Sequence, residues 1–160
     1  MKRLVIIVEG ETEESFVNNI LRPFFYSQGL YNVIQCFKTK HSHGGISKYS
    51  YIKKDVLNII YESDVVVSMM IDFYRLPSDT PGFNESTEVQ THKEQADLLE
   101  ARMKEDLENS QNQRFDNFIP YIQPASQLLE LALSLLLDLS VDELPLPLLL
   151  VYQLQQSRPR

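Results

Sequence analysis

The chain has 160 residues, of which 23% are charged, and a formal net charge of −7 at pH 7. This length fits one domain with a sizeable core, and the single Cys36 excludes an internal disulfide. The acidic balance argues against a surface that coats nucleic acid non-specifically. Because the sequence lacks both a signal-peptide pattern and a long uncharged apolar run, we expect a cytoplasmic protein with no membrane partner.

Apolar strands alternate with amphipathic helices over residues 1–123. The hydrophobic pattern predicts strands at residues 4–9, 31–38, 65–72 and 117–123, and helices at 12–29, 47–62 and around 96–107. The third strand is continuously apolar, which is typical of a central strand in a parallel sheet. Pro23 lies inside the first helix and predicts a kink or a division there. Together these units predict an α/β fold with a mostly parallel four-stranded sheet and helices on both faces.

A change in composition after residue 123 divides the chain into two parts. Leucine supplies nearly half of residues 124–154, and a helix over residues 126–139 would be apolar nearly all round. Such a helix needs burial, either in this domain or against a partner. We therefore assign residues 1–123 to an α/β domain. For residues 124–160 we expect a Leu-rich C-terminal helix and tail, which could be truncated or could form a homo-oligomer interface.

Four carboxylates, those of Glu9, Glu11, Glu13 and Glu14, follow directly on the first strand. In open α/β sheets ligands collect at the carboxyl ends of the strands, and concentrated negative charge there indicates a hard cation such as Mg²⁺. In an alternative interpretation, Glu11, Glu13 and Glu14 are first-turn helix residues favoured by the helix dipole, with Thr12 as N-cap. Helix electrostatics do not explain Glu9, which closes a strand of buried residue types.

Asp72 ends the third strand as Glu9 ends the first. These two strands can be neighbours in a doubly wound sheet, so both carboxylates can converge at one sheet edge. A Glu and an Asp on adjacent strand ends supply the oxygen ligands that Mg²⁺ or Mn²⁺ prefers. A cation held there could polarise a phosphodiester and activate a water molecule.

A basic stretch between residues 38 and 54 contrasts with the acidic whole. It contains five lysines and no acid before Asp55, and its members are Lys38, Lys40, Lys48, Lys53 and Lys54. Lysines in such a stretch can contact a nucleic-acid phosphate backbone. They can equally form a solvated loop and helix face.

Four segments resemble a known family. They are Val8-Glu9-Gly10-Glu11-Thr12-Glu13-Glu14, Gly44-Gly45-Ile46-Ser47-Lys48-Tyr49, Asp72-Phe73-Tyr74-Arg75-Leu76-Pro77-Ser78-Asp79 and Phe118-Ile119-Pro120-Tyr121-Ile122-Gln123. The acidic residues after the first and third strands resemble the Toprim fold of topoisomerases, primases and OLD-type nucleases. More narrowly, the four segments resemble an uncharacterised bacterial Toprim-like family that is often encoded beside AAA ATPases and linked to defence loci.

The resemblance implies roles for particular residues. Glu9 and Asp72 would be metal carboxylates and catalytic residues, and Glu13 an accessory acid. Tyr74 stands where the Toprim pattern has a second aspartate, so Asp79 or Glu13 would have to supply the missing ligand. The family's later acidic and histidine-bearing segment is reduced here to one acid, Glu130.

Two functional hypotheses follow. The first is an Mg²⁺- or Mn²⁺-dependent, Toprim-like nuclease or phosphodiester-processing domain, in a defence-type system with an AAA ATPase partner. In it Glu9, Asp72 and Glu13 act on a nucleic acid that Lys48, Lys53 and Lys54 help to bind. The second is a non-catalytic partner or scaffold subunit that docks through the Leu-rich C-terminal helix.

Overall fold

The computed structural model describes residues 3–31, 33–39 and 46–123. Four strands are present in these ranges: β1 (Arg3–Val8), β2 (Ile34–Lys38), β3 (Val65–Asp72) and β4 (Phe118–Gln123). The helices are α1 (Glu11–Phe16), α2 (Arg22–Ser27), α3 (Tyr49–Ile60), α4 (Phe83–Ser86) and α5 (His92–Gln111). A π-helical segment (Val17–Leu21) joins α1 to α2, and a 3₁₀ turn (Phe73–Arg75) follows β3. The predicted alternation of strands and helices is therefore confirmed for these ranges.

The four strands form one sheet in the order β2-β1-β3-β4, and every neighbouring pair is parallel. This confirms the predicted α/β fold with a parallel four-stranded sheet. The chain first moves from β1 to β2 on one side and then returns to place β3 on the other side of β1. The strand order thus reverses between β1 and β3, and in open α/β sheets the crevice at such a point is the usual ligand site.

Helices cover both faces of the sheet because each strand alternates its side chains between two apolar cores. On one face, β1 and β3 pack against α3 and α5, through Val5, Ile7, Val67, Met69, Ile52, Val56, Leu99 and Met103. On the other face they pack against the first helical region, through Leu4, Ile6, Val8, Met70, Phe16, Val17, Leu21 and Phe25. The four apolar residues that predicted the third helix, Ala96, Leu99, Met103 and Leu107, are all buried.

The first helix begins one residue earlier than predicted, and its N-cap lies two residues earlier. Gly10, with an extended backbone (φ −132°, ψ −173°), is the N-cap of α1, so the assignment of this role to Thr12 is wrong. Glycine has no side chain that could cap the helix. The Glu13 side chain caps it instead, since its Oε2 accepts a hydrogen bond from the Gly10 N–H at 3.1 Å. The predicted division near Pro23 takes the form of the π-helical segment directly before α2. Proline has no N–H to donate to the preceding turn, which favours such an irregularity.

A long connection, residues 73–91, joins β3 to α5 and contains the 3₁₀ turn and the short helix α4. Several other predictions lie outside the described residues: the Leu-rich segment 124–160, Lys40 and the Gly44-Gly45 turn. Within the three described ranges, no helix is both long and apolar enough to cross a membrane.

Candidate functional site

Glu9 is buried at the carboxyl edge of β1. It is the first residue after the strand, and only 1% of its surface is exposed. Its Oε2 atom is buried and forms no hydrogen bond with any described residue. A buried polar atom without a partner is uncommon in a folded protein, and a water molecule, an ion or a ligand that binds there would account for it. Glu9 is therefore the centre of the candidate site.

The other Glu9 oxygen has a partner that the sequence does not reveal. Oε1 accepts a hydrogen bond from Arg75 Nη1 at 3.3 Å, although the two residues are 66 positions apart. Burial raises the pKa of Glu9, and the Arg75 guanidinium opposes that rise. The same hydrogen bond raises the pKa of Arg75. Arg75 thus supplies a positive charge that favours the ionised form of the buried Glu9 carboxylate.

Asp72 lies beside Glu9 because β3 is the neighbour of β1. Val8 pairs with Met70 in the parallel register, so Glu9 and Asp72 both follow the paired residues at the same sheet edge. The Asp72 Oδ1 atom accepts a hydrogen bond from the Tyr74 N–H at 2.9 Å and thereby caps the 3₁₀ turn. This bond fixes the carboxylate at the edge and orients the turn that carries Arg75. The Tyr74 side chain itself is 67% exposed.

Glu13 also contributes negative charge to this edge. The charges of Glu13 and Asp72 both act to raise the pKa of Glu9. The structure therefore brings three of the predicted acidic residues into one electrostatic neighbourhood. Glu13 has a second role, because its Oε2 is the acceptor for the Gly10 N–H. Gly10 fits this arrangement closely: a Cβ at that position would lie 3.0 Å from the same oxygen.

Asp79, the fourth predicted ligand, is engaged elsewhere. Its Oδ1 accepts a hydrogen bond from the Tyr49 N–H at 2.9 Å and so caps the N-terminus of α3. In the part of the chain that the structure describes, no group of three or more His, Cys, Asp or Glu side chains is arranged to hold a metal ion. A metal here would have to bind through fewer carboxylates.

A neutral oxygen at the end of β4 extends the set of candidate ligands. Gln123 pairs with Asp72 in the register, is 7% exposed, and has a buried Oε1 without a partner among the described residues. Mg²⁺ commonly binds through one or two carboxylates and keeps several water ligands. The donor set of Glu9, Asp72 and Gln123 fits this chemistry, since all its atoms are hard oxygen donors.

The predicted nucleic-acid-binding lysines differ in their surroundings. Lys53 forms an ion pair with Asp106 Oδ2 at 2.7 Å, which ties α3 to α5. Lys48 is the N-cap residue of α3 and is exposed, as is Lys54. Because α3 follows β2, Lys48 lies at the carboxyl edge of the sheet.

Two residues of the site were not predicted as such. Arg75 follows Asp72 by three positions, and this nearness to the end of the third predicted strand could have identified it as a residue of the site. Gln123 likewise ends the fourth predicted strand, and residues at strand ends of a parallel sheet meet at one edge.

The fold and site together define an α/β protein whose acidic residues meet where the order of a parallel sheet reverses. Residues 8–126 match the family described as Domain of unknown function (DUF4276), and the chain belongs to that family. The matched range contains every described residue of the candidate site. No curated protein and no solved structure matches the chain.

Proposed function

We propose that this protein is an Mg²⁺- or Mn²⁺-dependent enzyme that processes phosphodiesters, with its site at the carboxyl edge of β1 and β3. The observation that carries the proposal is the buried Glu9 carboxylate, whose Oε2 has no hydrogen-bond partner among the described residues, at the sheet edge that also carries Asp72. Most buried carboxylate oxygens in folded proteins accept a hydrogen bond, so an open one at a strand end leaves room for a cation or a water molecule.

Each residue has a distinct part in this proposal. Glu9 and Asp72 would hold the cation, Gln123 would add a neutral oxygen, and Glu13 would contribute charge from the start of α1. A bound divalent cation would polarise the phosphodiester and lower the pKa of a water molecule. Lys48 and Lys54, which are exposed, would attract the nucleic-acid backbone. Glu13 also caps α1, and Asp79 is already engaged at the N-terminus of α3. Glu9 and Asp72 are therefore the principal pair of metal ligands in this proposal.

The proposal includes a relationship to the Toprim nucleases. It is supported by an acidic residue after the first strand, a second after the third, and the adjacency of these strands in a parallel sheet. A defence-type setting with an AAA ATPase partner and a cytoplasmic location are further parts of the proposal. The setting and the partner depend only on the sequence resemblance, whereas the location rests on the single Cys36, which fits a reducing compartment.

Strand cleavage tests this function. Purified protein is incubated with supercoiled plasmid and with a labelled RNA, in Mg²⁺, in Mn²⁺ and in chelator. The proposal predicts metal-dependent nicking or cleavage that Asp72→Asn abolishes. Glu11→Gln is the matched control, since it removes one charge from the same acidic stretch but affects a side chain that is 90% exposed. Cleavage that persists in chelator, or that Asp72→Asn leaves unchanged, would contradict the proposal.

A second candidate function is a non-catalytic partner or scaffold subunit. It is favoured by the Arg75–Glu9 ion pair, because Glu9 already has a positive partner without any metal. Tyr74 in place of a third carboxylate favours it as well. The segment through which such a subunit would dock, residues 124–160, lies outside the described residues. Absence of cleavage and of metal binding in the wild-type protein would favour this candidate.

A further inference from the structure

The two members of the Glu9–Arg75 ion pair differ sharply in their exposure. The Glu9 side chain is 2% exposed, whereas the Arg75 side chain is 61% exposed. Arg75 can therefore exchange Glu9 for water with little change in its own solvation, because its guanidinium is already largely exposed. Glu9 has no such alternative, because its carboxylate is enclosed by the protein. This difference in exposure makes Arg75 the partner that another cation can displace from the pair.

The position of Arg75 restricts where it goes when it leaves. It is the last residue of the 3₁₀ turn, whose start is fixed by the bond from the Tyr74 N–H to Asp72. The guanidinium must therefore stay near the sheet edge that carries Glu9 and Asp72. A guanidinium presents several N–H donors in a planar fork that matches the oxygens of a phosphate.

We infer that Arg75 is a displaceable counter-ion of Glu9, which a divalent cation releases to bind a phosphate group of a nucleic-acid strand. The inference rests on the proposed function, and it adds a role for a residue that the function alone does not require. Before the cation binds, Arg75 neutralises Glu9. A cation on Glu9 repels the guanidinium, which then becomes available to the substrate.

This arrangement links the two ligands thermodynamically. Metal binding frees the arginine for phosphate, and phosphate binding removes the competitor of the metal. Each ligand must then strengthen the binding of the other by the same factor. A residue that only stabilised the fold would not produce this linkage.

Mn²⁺ titration of four proteins tests the first half of the inference, by calorimetry or by the spin resonance of the free ion. They are the wild type, Arg75→Gln, Glu9→Gln and Arg102→Gln. Arg102 is the matched control, because it is also a partly exposed arginine paired with acids, Glu85 and Glu105, on α4 and α5. We expect Arg75→Gln to bind Mn²⁺ about fivefold more tightly than the wild type, the ratio given by loss of a competing ion pair. The two affinities are compared at a pH above which neither changes further, because loss of the guanidinium also favours protonation of Glu9. Arg102→Gln should leave the affinity unchanged.

A labelled ten-nucleotide single strand tests the second half, with its binding followed by fluorescence anisotropy in Ca²⁺ and in chelator. The wild type should bind the strand more tightly in Ca²⁺, and Arg75→Gln should lose most of that gain. An affinity of Arg75→Gln for Mn²⁺ equal to or weaker than that of the wild type would overturn the inference. So would a gain in Ca²⁺ that the substitution leaves intact.

The outcomes separate the inference from the proposed function. Mn²⁺ binding that depends on Glu9 but not on Arg75 would overturn the inference alone. Binding by Arg75→Gln but not by the wild type would support the counter-ion role and contradict metal dependence of the natural protein. Absence of Mn²⁺ binding in both proteins would overturn both claims.

Discussion

Glu100 offers a sharp test of the electrostatics near the site. It lies on α5, and its Oε1 accepts a hydrogen bond from the Ile122 N–H at 2.7 Å. The Asn117 carbonyl accepts a hydrogen bond from the Val67 N–H on β3. Successive residues of a strand direct their backbone N–H and C=O groups to opposite sides, so the Ile122 N–H points away from β3, toward the outer edge of the sheet. Glu100 thus satisfies an edge amide that would otherwise be open to another strand. Replacement by glutamine keeps an acceptor oxygen there and removes the charge.

The expected change in the free energy of unfolding follows from the pKa of Glu100, which burial raises from 4.5 to about 7. A carboxyl group whose pKa is higher in the folded state stabilises the fold when protonated, and this contribution is lost as the pH rises from 4.5 through 7. Because Glu100 ionises at lower pH in the unfolded chain than in the fold, the wild type loses about 1 kcal/mol of stability by pH 5.5 and about 3 kcal/mol by pH 8, relative to its stability with Glu100 protonated in both states. Glu100→Gln does not carry this penalty, so its advantage should grow over the same pH interval.

Urea denaturation of the full-length chain at pH 5.5, 6.5, 7.2 and 8 measures this difference. Glu105→Gln is the control, because Glu105 lies on the same helix with an exposed side chain, and it should change the free energy of unfolding by less than about 0.5 kcal/mol at every pH. A Glu100→Gln protein that is no more stable than the wild type at pH 8 would show that ionisation of Glu100 does not destabilise the fold. An advantage that is constant with pH would show the same, since an effect of ionisation must vary with pH.

Two further predictions concern the long connection between β3 and α5. Gly82 has φ +80°, and a Cβ there would lie 2.7 Å from Arg102 Cγ, whereas Gly29 has φ +72° with open space around it. Gly82→Ala should therefore lower the free energy of unfolding by about 2 kcal/mol and Gly29→Ala by about 1 kcal/mol in urea denaturation; equal losses would show that the close approach to Arg102 is unimportant. Asp79→Ala should cost about 1 kcal/mol through loss of the cap on α3 and leave Mn²⁺ affinity unchanged, with Ser78→Ala as a neutral control. A fall in Mn²⁺ affinity would instead identify Asp79 as a ligand.

The parts of the fold that depend on buried apolar patterns could be read from the sequence. The strand at Val65–Asp72 has the predicted ends, because a continuous apolar run between polar turns leaves little freedom in a parallel sheet. The neighbouring positions of Glu9 and Asp72 also followed from the logic of a doubly wound sheet. Both predictions use only the periodicity of one segment and the rule that parallel strands share an edge.

The contacts of polar side chains that have several suitable partners could not be predicted from the sequence in this way. Thr12 and Glu13 are both suitable for a helix start, and the extended backbone at Gly10 decides in favour of Glu13. Asp79 was a reasonable replacement for the carboxylate absent at Tyr74, yet it caps α3, which begins 30 residues earlier. Arg75 reaches Glu9 across 66 residues, and nothing in the local sequence specifies that contact.

Calorimetric titration of Mg²⁺ into the wild type and Glu9→Gln tests the central claim most directly. Glu11→Gln again serves as the control for loss of one charge. We expect a saturable heat for the wild type and for Glu11→Gln, and an affinity at least about tenfold weaker for Glu9→Gln, since this substitution removes one of the two principal carboxylates. No Mg²⁺ heat in the wild type, or equal affinity in Glu9→Gln, would contradict the claim.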